Sequence, residues 1–461
     1  MSGTQASRDS ASFRDPAGSV FTRAGKLYRQ VNKVGAKDYR KLIDSGLYQE
    51  LVEAGLLIAH VEVPRSVALN QSEVFTVIQP EKVPFVSYPY ELSFTQLKRA
   101  ALLTLELEER ALSHGMTLKD ASAYNVQFFG QRPVFIDTLS FASYEEGTPW
   151  AAYRQFCQHF LAPLVLISTT DIRLSYLQRH YMDGIPLDLA SKLLPQSARW
   201  SLGVATHLIF HARQQVRFAG SGDERTSSLK LSLHGRMALL DSLRSTIEKL
   251  KLPKQETEWA GYYDDTNYSS ASFRAKHEQV RRLVKEVKPG MVWDLGANTG
   301  EFSKTAVEAG ATHVIAFDID PQAVDCLAQD SAAKGITPLV MDLLNPSGNQ
   351  GWAQAERKGL IERGPADLLM ALALVHHLAI GANVPLRDIA KGFAELGENL
   401  LIEFVPKEDS QVKRLLATRP DIFPHYTREG FEVAFKPFWE VISSEKVPDS
   451  KRYLYLLKKI S

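Results

Sequence analysis

Cysteine is nearly missing from this chain. Two in 461 residues, Cys157 and Cys326, stand far apart and in no metal-ligand or redox spacing, which excludes a disulfide framework and suits a reducing compartment. An excess of charge of either sign is missing too. The 54 lysines and arginines against 53 aspartates and glutamates leave a formal net charge of +1, so nothing electrostatic points to a nucleic acid or an anionic membrane surface. No uninterrupted apolar run reaches the length of a membrane span, and the first residues are polar, without the apolar core of a signal peptide. Long repeats and low-complexity tracts are absent. What is present, 44% hydrophobic and 23% charged residues, is a globular composition with enough chain for at least two domains. The expectation is a cytoplasmic protein with no nucleic-acid partner and no membrane span.

The most informative stretch runs from Met291 to Phe302. An apolar run, Met291 to Trp293, reads as a buried strand; Asp294, Gly296 and Gly300 mark a tight turn, with Asn298 inside it, and a helix restarts at Phe302. Glycine turns of this kind lead into helix N-termini that suit anions such as pyrophosphate. Here a carboxylate stands at the strand's end, which repels pyrophosphate and attracts a cation. S-adenosylmethionine, with an ammonium and a sulfonium but no phosphate, fits that charge.

Three further features follow in order. A strand over Thr312–Phe317 ends in Asp318, eighteen positions beyond Gly300; another over Leu339–Met341 ends in Asp342; a fourth over Ala366–Leu374 leads into Val375-His376-His377-Leu378. The ordered set from about Tyr262 onward resembles a class I S-adenosylmethionine-dependent methyltransferase. That resemblance implies an α/β, Rossmann-like domain with a seven-stranded, mostly parallel sheet. It also implies Asp294, Gly296, Asn298, Gly300, Asp318 and Asp342 around the cofactor, with Asp318 on the ribose and Asp342 on the adenine amino group. His376 and His377 become the candidate catalytic bases, since either has a suitable intrinsic pKa. Each reading has a plainer counterpart: the glycines as a structural turn, Asp320 before Pro321 as a helix cap, the histidines as packed loop residues. Tyr262-Tyr263-Asp264-Asp265-Thr266-Asn267-Tyr268 reads equally as a lid over the cofactor or as a turn-rich linker.

Ahead of that pattern the chain reads as a separate α+β domain over 13–254, leaving 255–461 for the methyltransferase. Disorder is expected to Ser12 and a hairpin around Ala24-Gly25. A helix is expected over Asp38–Ala54, short strands at Leu56–Ile58, Val61–Val63 and Glu73–Ile78, and a helix opened by a Ser93/Gln96 capping box. Then comes Asp120-x-x-x-x-Asn125, followed by a hairpin ending at Asp137. This segment is similar to the catalytic and metal-binding loops of the protein-kinase-like fold, including aminoglycoside phosphotransferases. The resemblance implies Asp120 as base and Asn125 and Asp137 on magnesium, with ATP as phosphoryl donor. No Gly-x-Gly-x-x-Gly loop precedes it, Lys119 replaces the usual His or Arg, and Lys26 and Arg29 are both candidates for the strand cation. The plainer reading is a scaffold in which the three residues tie loops together. No further metal site is expected.

The acceptor is narrowed by what does not follow the fourth strand. The Asn/Asp-Pro-Pro-aromatic motif of enzymes that methylate base or glutamine nitrogens is absent, and so is a Pro-Cys nucleophile. A small molecule or saccharide remains, with oxygen favoured. The layout resembles long bacterial two-part methyltransferases, some labelled as nodulation proteins. A bifunctional methyl- and phosphotransferase, and a cofactor-binding module without turnover, are the other readings.

Overall fold

The computed structural model describes residues 6–211, 231–253, 270–417 and 419–460. The chain divides into two compact units, residues 1–254 with 351–357, and 255–350 with 358–461.

In the first unit a five-stranded antiparallel sheet runs in the order Ser7–Arg8, Gly18–Arg23, Lys26–Asn32, Val74–Pro80, His60–Val63. A long helix, Phe94–Ser113, follows it. Its start is fixed by the capping box: Gln96 N donates to Ser93 Oγ at 3.2 Å and Ser93 N to Gln96 Oε1 at 3.0 Å. The hairpin Val126–Phe129/Arg132–Phe135 comes next. A buried pair, Arg236 Nη1 to Glu108 Oε1 at 2.7 Å, ties the helix Leu233–Lys249 to Phe94–Ser113. Three sequence expectations change here. The helix expected over Asp38–Ala54 breaks at Gly46, whose φ of 81° ends Ala36–Asp44 and starts Leu47–Glu53. Leu56–Ile58 forms only a single bridge, Leu57 to Phe135. Ser7–Arg8, expected disordered, pairs with Phe21 and Thr22. The aromatic stretch Tyr262–Tyr268 lies outside the described residues.

The second unit holds seven strands: β1 (Met291–Leu295), β2 (His313–Asp318), β3 (Ile336–Val340), β4 (Ala366–Ala371), β5 (Gly397–Phe404), β6 (Trp439–Lys446) and β7 (Tyr453–Lys459). They lie in the order 3-2-1-4-5-7-6, parallel through β5, with β7 antiparallel to both of its neighbours. The parallel strands are near-continuous apolar runs because helices cover both faces of such a sheet. Val292, Val314, Ile336, Leu368 and Leu401 share one core with Val280, Leu283 and Val284 of α1 (Ser270–Val287). Strand order reverses between β1 and β4, and in open parallel sheets a crevice forms at that reversal, beyond the strands' C-terminal ends.

Gly300 shapes the crevice floor. It caps α2 (Glu301–Glu308) at φ 80°, and a Cβ there would sit 2.6 Å and 2.7 Å from the δ carbons of Leu327 on α3 (Pro321–Gln329). Gly300→Ala therefore meets both a left-handed backbone and a packed leucine, and should cost about 1–3 kcal/mol. An unchanged urea midpoint would contradict this packing.

Candidate functional site

The turn after β1 is pinned to β2. Gly296 N and Ala297 N both donate to Phe317 O, at 2.8 and 2.9 Å, and Asn298 N donates to Asp318 Oδ2 at 2.7 Å. Asp318 Oδ1 accepts from Asp320 N at 2.8 Å, and its backbone oxygen accepts from Met341 N at 2.8 Å. One residue thus aligns three strand ends. Asp320 caps α3 by accepting from Gln322 N at 2.8 Å. The result is a cavity of about 300 Å³, lined by Asp294, Gly296, Asn298, Asp318, Asp342 and His377 among others. Gly300 and His376 do not line it. The volume is at the lower end of the small-ligand range.

Its apolar walls come from Phe273, Phe302, Ile319, Leu344, Leu374 and Leu378. Ile319 and Leu344 are exposed, giving a greasy rim. Its charges are buried. Burial pushes the Asp294 carboxyl up to about 7, and nearby Asp318 adds to the rise, while the hydroxyl of Ser303, donating at 2.6 Å, and Lys276 oppose it. Asp318 is also raised by burial, against the N–H groups of Asp320 and Asn298. Asp342 Oδ1 accepts from Leu344 N at 2.9 Å.

Lys276, which the sequence reading passed over, lines the cavity too. Its ammonium lies 2.7 Å from Glu403 Oε2, with the two side chains 2% and 0% exposed, and 4.6 Å from the centre of the Phe302 ring. Burial lowers its pKa while Glu403 holds the charge. A single acidic residue in the apolar run Leu400-Leu-Ile-Glu-Phe404 was the available signal for Glu403. Lys276 gave none, because α1 carries several basic residues.

The two candidate histidines separate. His376 is fully buried, neither ring nitrogen has a hydrogen-bond partner, and burial, then His377, hold its pKa well below the usual range. A ring sealed away from the cavity reaches no substrate, so His376 is set aside as a base. His377 lines the cavity, its ring centre 4.1 Å from that of His376 and tilted 40° to it, and burial and then Arg452 lower its pKa to about 4.

In the first unit Asp120, Asn125 and Asp137 converge. The Asn125 amide bonds to Asp120 and, at 3.3 Å, to Ser140 Oγ, which donates to Asp137 Oδ2 at 2.9 Å. Burial raises the Asp120 pKa, and Asp137 adds to the rise. The neighbouring cation is Arg29 rather than Lys119: Arg29 Nη1 stands 2.7 Å from Asp137 Oδ1. Among the described residues no group of three or more His, Cys, Asp or Glu side chains is arranged around a metal position.

The strand order, with carboxylates at successive strand ends, makes the second unit a Rossmann-like α/β domain, the fold that the resemblance to class I S-adenosylmethionine-dependent methyltransferases implies. The chain belongs to the family of nodulation protein NoeA of Rhizobium meliloti (strain 1021), with 37% identity covering 98% of this chain and 96% of the relative. No protein-family model matches. Among solved structures it is similar to the N-methyltransferase NodS from Bradyrhizobium japonicum WM9 in complex with S-adenosyl-L-homocysteine, at 11% identity and a TM-score of 0.32, covering 44% of this chain and 94% of that one. It is also similar to the PH0226 protein from Pyrococcus horikoshii OT3, at 18% identity and a TM-score of 0.31, covering 43% and 98%. Likenesses this weak carry no functional argument. No described helix is long and apolar enough to cross a membrane.

The donor set fits S-adenosylmethionine. Acidic oxygens at Asp294, Asp318 and Asp342 suit its cationic end, its ribose hydroxyls and its adenine amine, while apolar walls suit the purine and the methyl. Losing one charge-assisted hydrogen bond costs about 1.5–3 kcal/mol, so Asp318→Ala should weaken S-adenosylhomocysteine binding roughly 10- to 150-fold by calorimetry. Unchanged affinity would remove Asp318 from the site. Asp294, with its carboxyl raised to about 7, is mostly protonated at mildly acid pH, and a ligand ammonium beside it favours the carboxylate. Binding at pH ~6 should therefore release close to one proton and binding at pH ~8.5 almost none, with affinity rising as pH climbs through the folded pKa. Titrations in buffers of different ionisation enthalpy measure this; zero release at the lower pH would place the ammonium elsewhere.

Proposed function

We propose that this chain transfers a methyl group from S-adenosylmethionine to a hydroxyl of a small molecule or saccharide. The observation that carries the reading is the meeting of three strand-end carboxylates, a glycine turn and a neutral histidine on one cavity. When bound, the cofactor supplies a methyl already activated on sulfur. The protein's share is to bind, orient, exclude water and take up one proton. Asp318 would hold the ribose and Asp342 the adenine amine; Asp294 and Lys276 would meet the ammonium and carboxylate of the methionine end. Phe273, Leu374 and Leu378 would keep the reacting atoms dry.

His377 supports oxygen over nitrogen. An imidazole held near 4 is too weak to deprotonate an alkylammonium, yet a hydroxyl gaining a methyl becomes far more acidic than imidazolium, so a neutral ring nitrogen of His377 suffices to accept its proton. The saccharide option rests on the two-part layout noted in the sequence. For the first unit we propose the kinase-like arrangement as architecture only. The guanidinium of Arg29 already neutralises Asp137, so magnesium and ATP form no part of the proposal.

Incubating the pure chain and cofactor with low-mass extract, followed by untargeted mass spectrometry, should reveal a product heavier by about 14 Da, or by about 17 Da when the cofactor's methyl is trideuterated. His377→Gln should lower its formation by about 10²–10⁴-fold while S-adenosylhomocysteine affinity stays within about threefold. At saturating cofactor the wild-type rate should be level between pH ~6 and ~8, because His377 is neutral throughout. Cofactor binding with no labelled product in any extract would favour a binding module without turnover; a rate limb near the usual histidine pKa would contradict the environment described for His377.

A further inference from the structure

Ala373 has a backbone that its side chain does not favour. It stands two residues past the end of β4 at φ 52°, in the left-handed region that residues other than glycine and asparagine rarely adopt. Something must hold it there. Its N–H donates to Glu403 Oε2 at 2.7 Å, the same oxygen that meets Lys276 Nζ at 2.7 Å. Glu403 sits on the neighbouring strand β5, 0% exposed, so the amide is fixed by the sheet rather than by its own loop.

The rest of the loop is built on that point. Leu374 O accepts from His377 N at 2.9 Å and from Leu378 N at 3.3 Å, so the bend at Ala373 sets where the turn bearing His377 begins. Glu403 is itself immobilised: Arg452 Nη1 lies 3.7 Å from Oε1, and Arg452 in turn donates to Asp409 Oδ2 and Oδ1, at 2.7 and 3.1 Å. Two cations and two carboxylates balance, which a buried cluster of this kind requires.

We infer that Glu403 is a positioning residue: its carboxylate, shared between Lys276 on the cofactor side of the cavity and the Ala373 amide on the other, fixes the loop that carries His377. The inference rests on the methyl-transfer reading only where turnover is measured. Loss of Glu403 alone would strand buried cations, so the informative comparison removes both charges. Lys276→Met with Glu403→Gln keeps an acceptor oxygen for the Ala373 amide; Lys276→Met with Glu403→Leu does not.

In ¹³C-histidine NMR spectra of the full chain, with the His377 signal assigned through His377→Gln, the glutamine pair should leave that signal near its wild-type position and the leucine pair should move it. A displaced acceptor wall can cost about 100-fold in rate, so labelled-methyl transfer should fall by about that factor between the two pairs. Adding Ala373→Gly to the leucine pair should recover part of the signal position, because glycine takes the bend without being held. Identical His377 signals in the two pairs overturn the inference, as does equal turnover. If the leucine pair does not fold, hydrogen exchange of the Ala373 amide in wild type decides: protection supports the bond, and exchange at the rate of an open loop overturns it. Should wild type fail to bind S-adenosylhomocysteine, the methyl-transfer reading fails while the NMR comparison still judges Glu403.

Discussion

The second unit depends on how Asp318 is held. Its carboxylate takes one N–H from the turn after β1 and one from the turn after its own strand, and its carbonyl takes a third from the residue past β3. Charged acceptors make the stronger hydrogen bonds, and this one stitches together strand ends that the sheet ladder alone would leave to fray. The geometry of the cavity floor is a consequence. Gly296 and Gly300 are needed because the stitched turn passes through left-handed backbone, and at Gly300 because Leu327 leaves no room for a side chain.

Charge is the second constraint. Burial raises both Asp294 and Asp318, and a neighbouring carboxylate adds to each rise, Asp318 at Asp294 and Asp320 at Asp318. Such a site is costly without a cation and relieved by one, which makes the preference for a cationic ligand a property of the fold. On the opposite side Lys276, Glu403, Arg452 and Asp409 are balanced among themselves. Removing one member would leave an uncompensated charge, with a cost that exceeds the value of the pair. Arg452 also faces the histidines, and its field helps keep His377 neutral.

Much of the floor was legible because strand ends and glycine turns punctuate a sequence strongly. Asp294, Gly296, Asn298, Asp318 and Asp342 stand where apolar runs stop, and all line the one cavity. What could not be read depends on rotation and distance. His376 and His377 are adjacent, and only the pitch of the turn sends one inward and the other to the cavity. Lys276 looks like any basic residue on a helix until the sheet places Glu403 against it. In the first unit the loop spacing drew attention to Asp120, Asn125 and Asp137, but their counter-ion comes from a strand about a hundred residues earlier, which local pattern does not connect. The helix break at Gly46 shows the reverse error: apolar periodicity ran across a residue whose backbone ends a helix.

Crystals of the full chain grown with S-adenosylhomocysteine test the central claim most directly. The ligand should lie in the cavity with its ribose against Asp318 and its adenine beside Asp342 and Leu344. Well-ordered crystals at saturating ligand with that density lying elsewhere, or with the cavity holding only solvent, would contradict it.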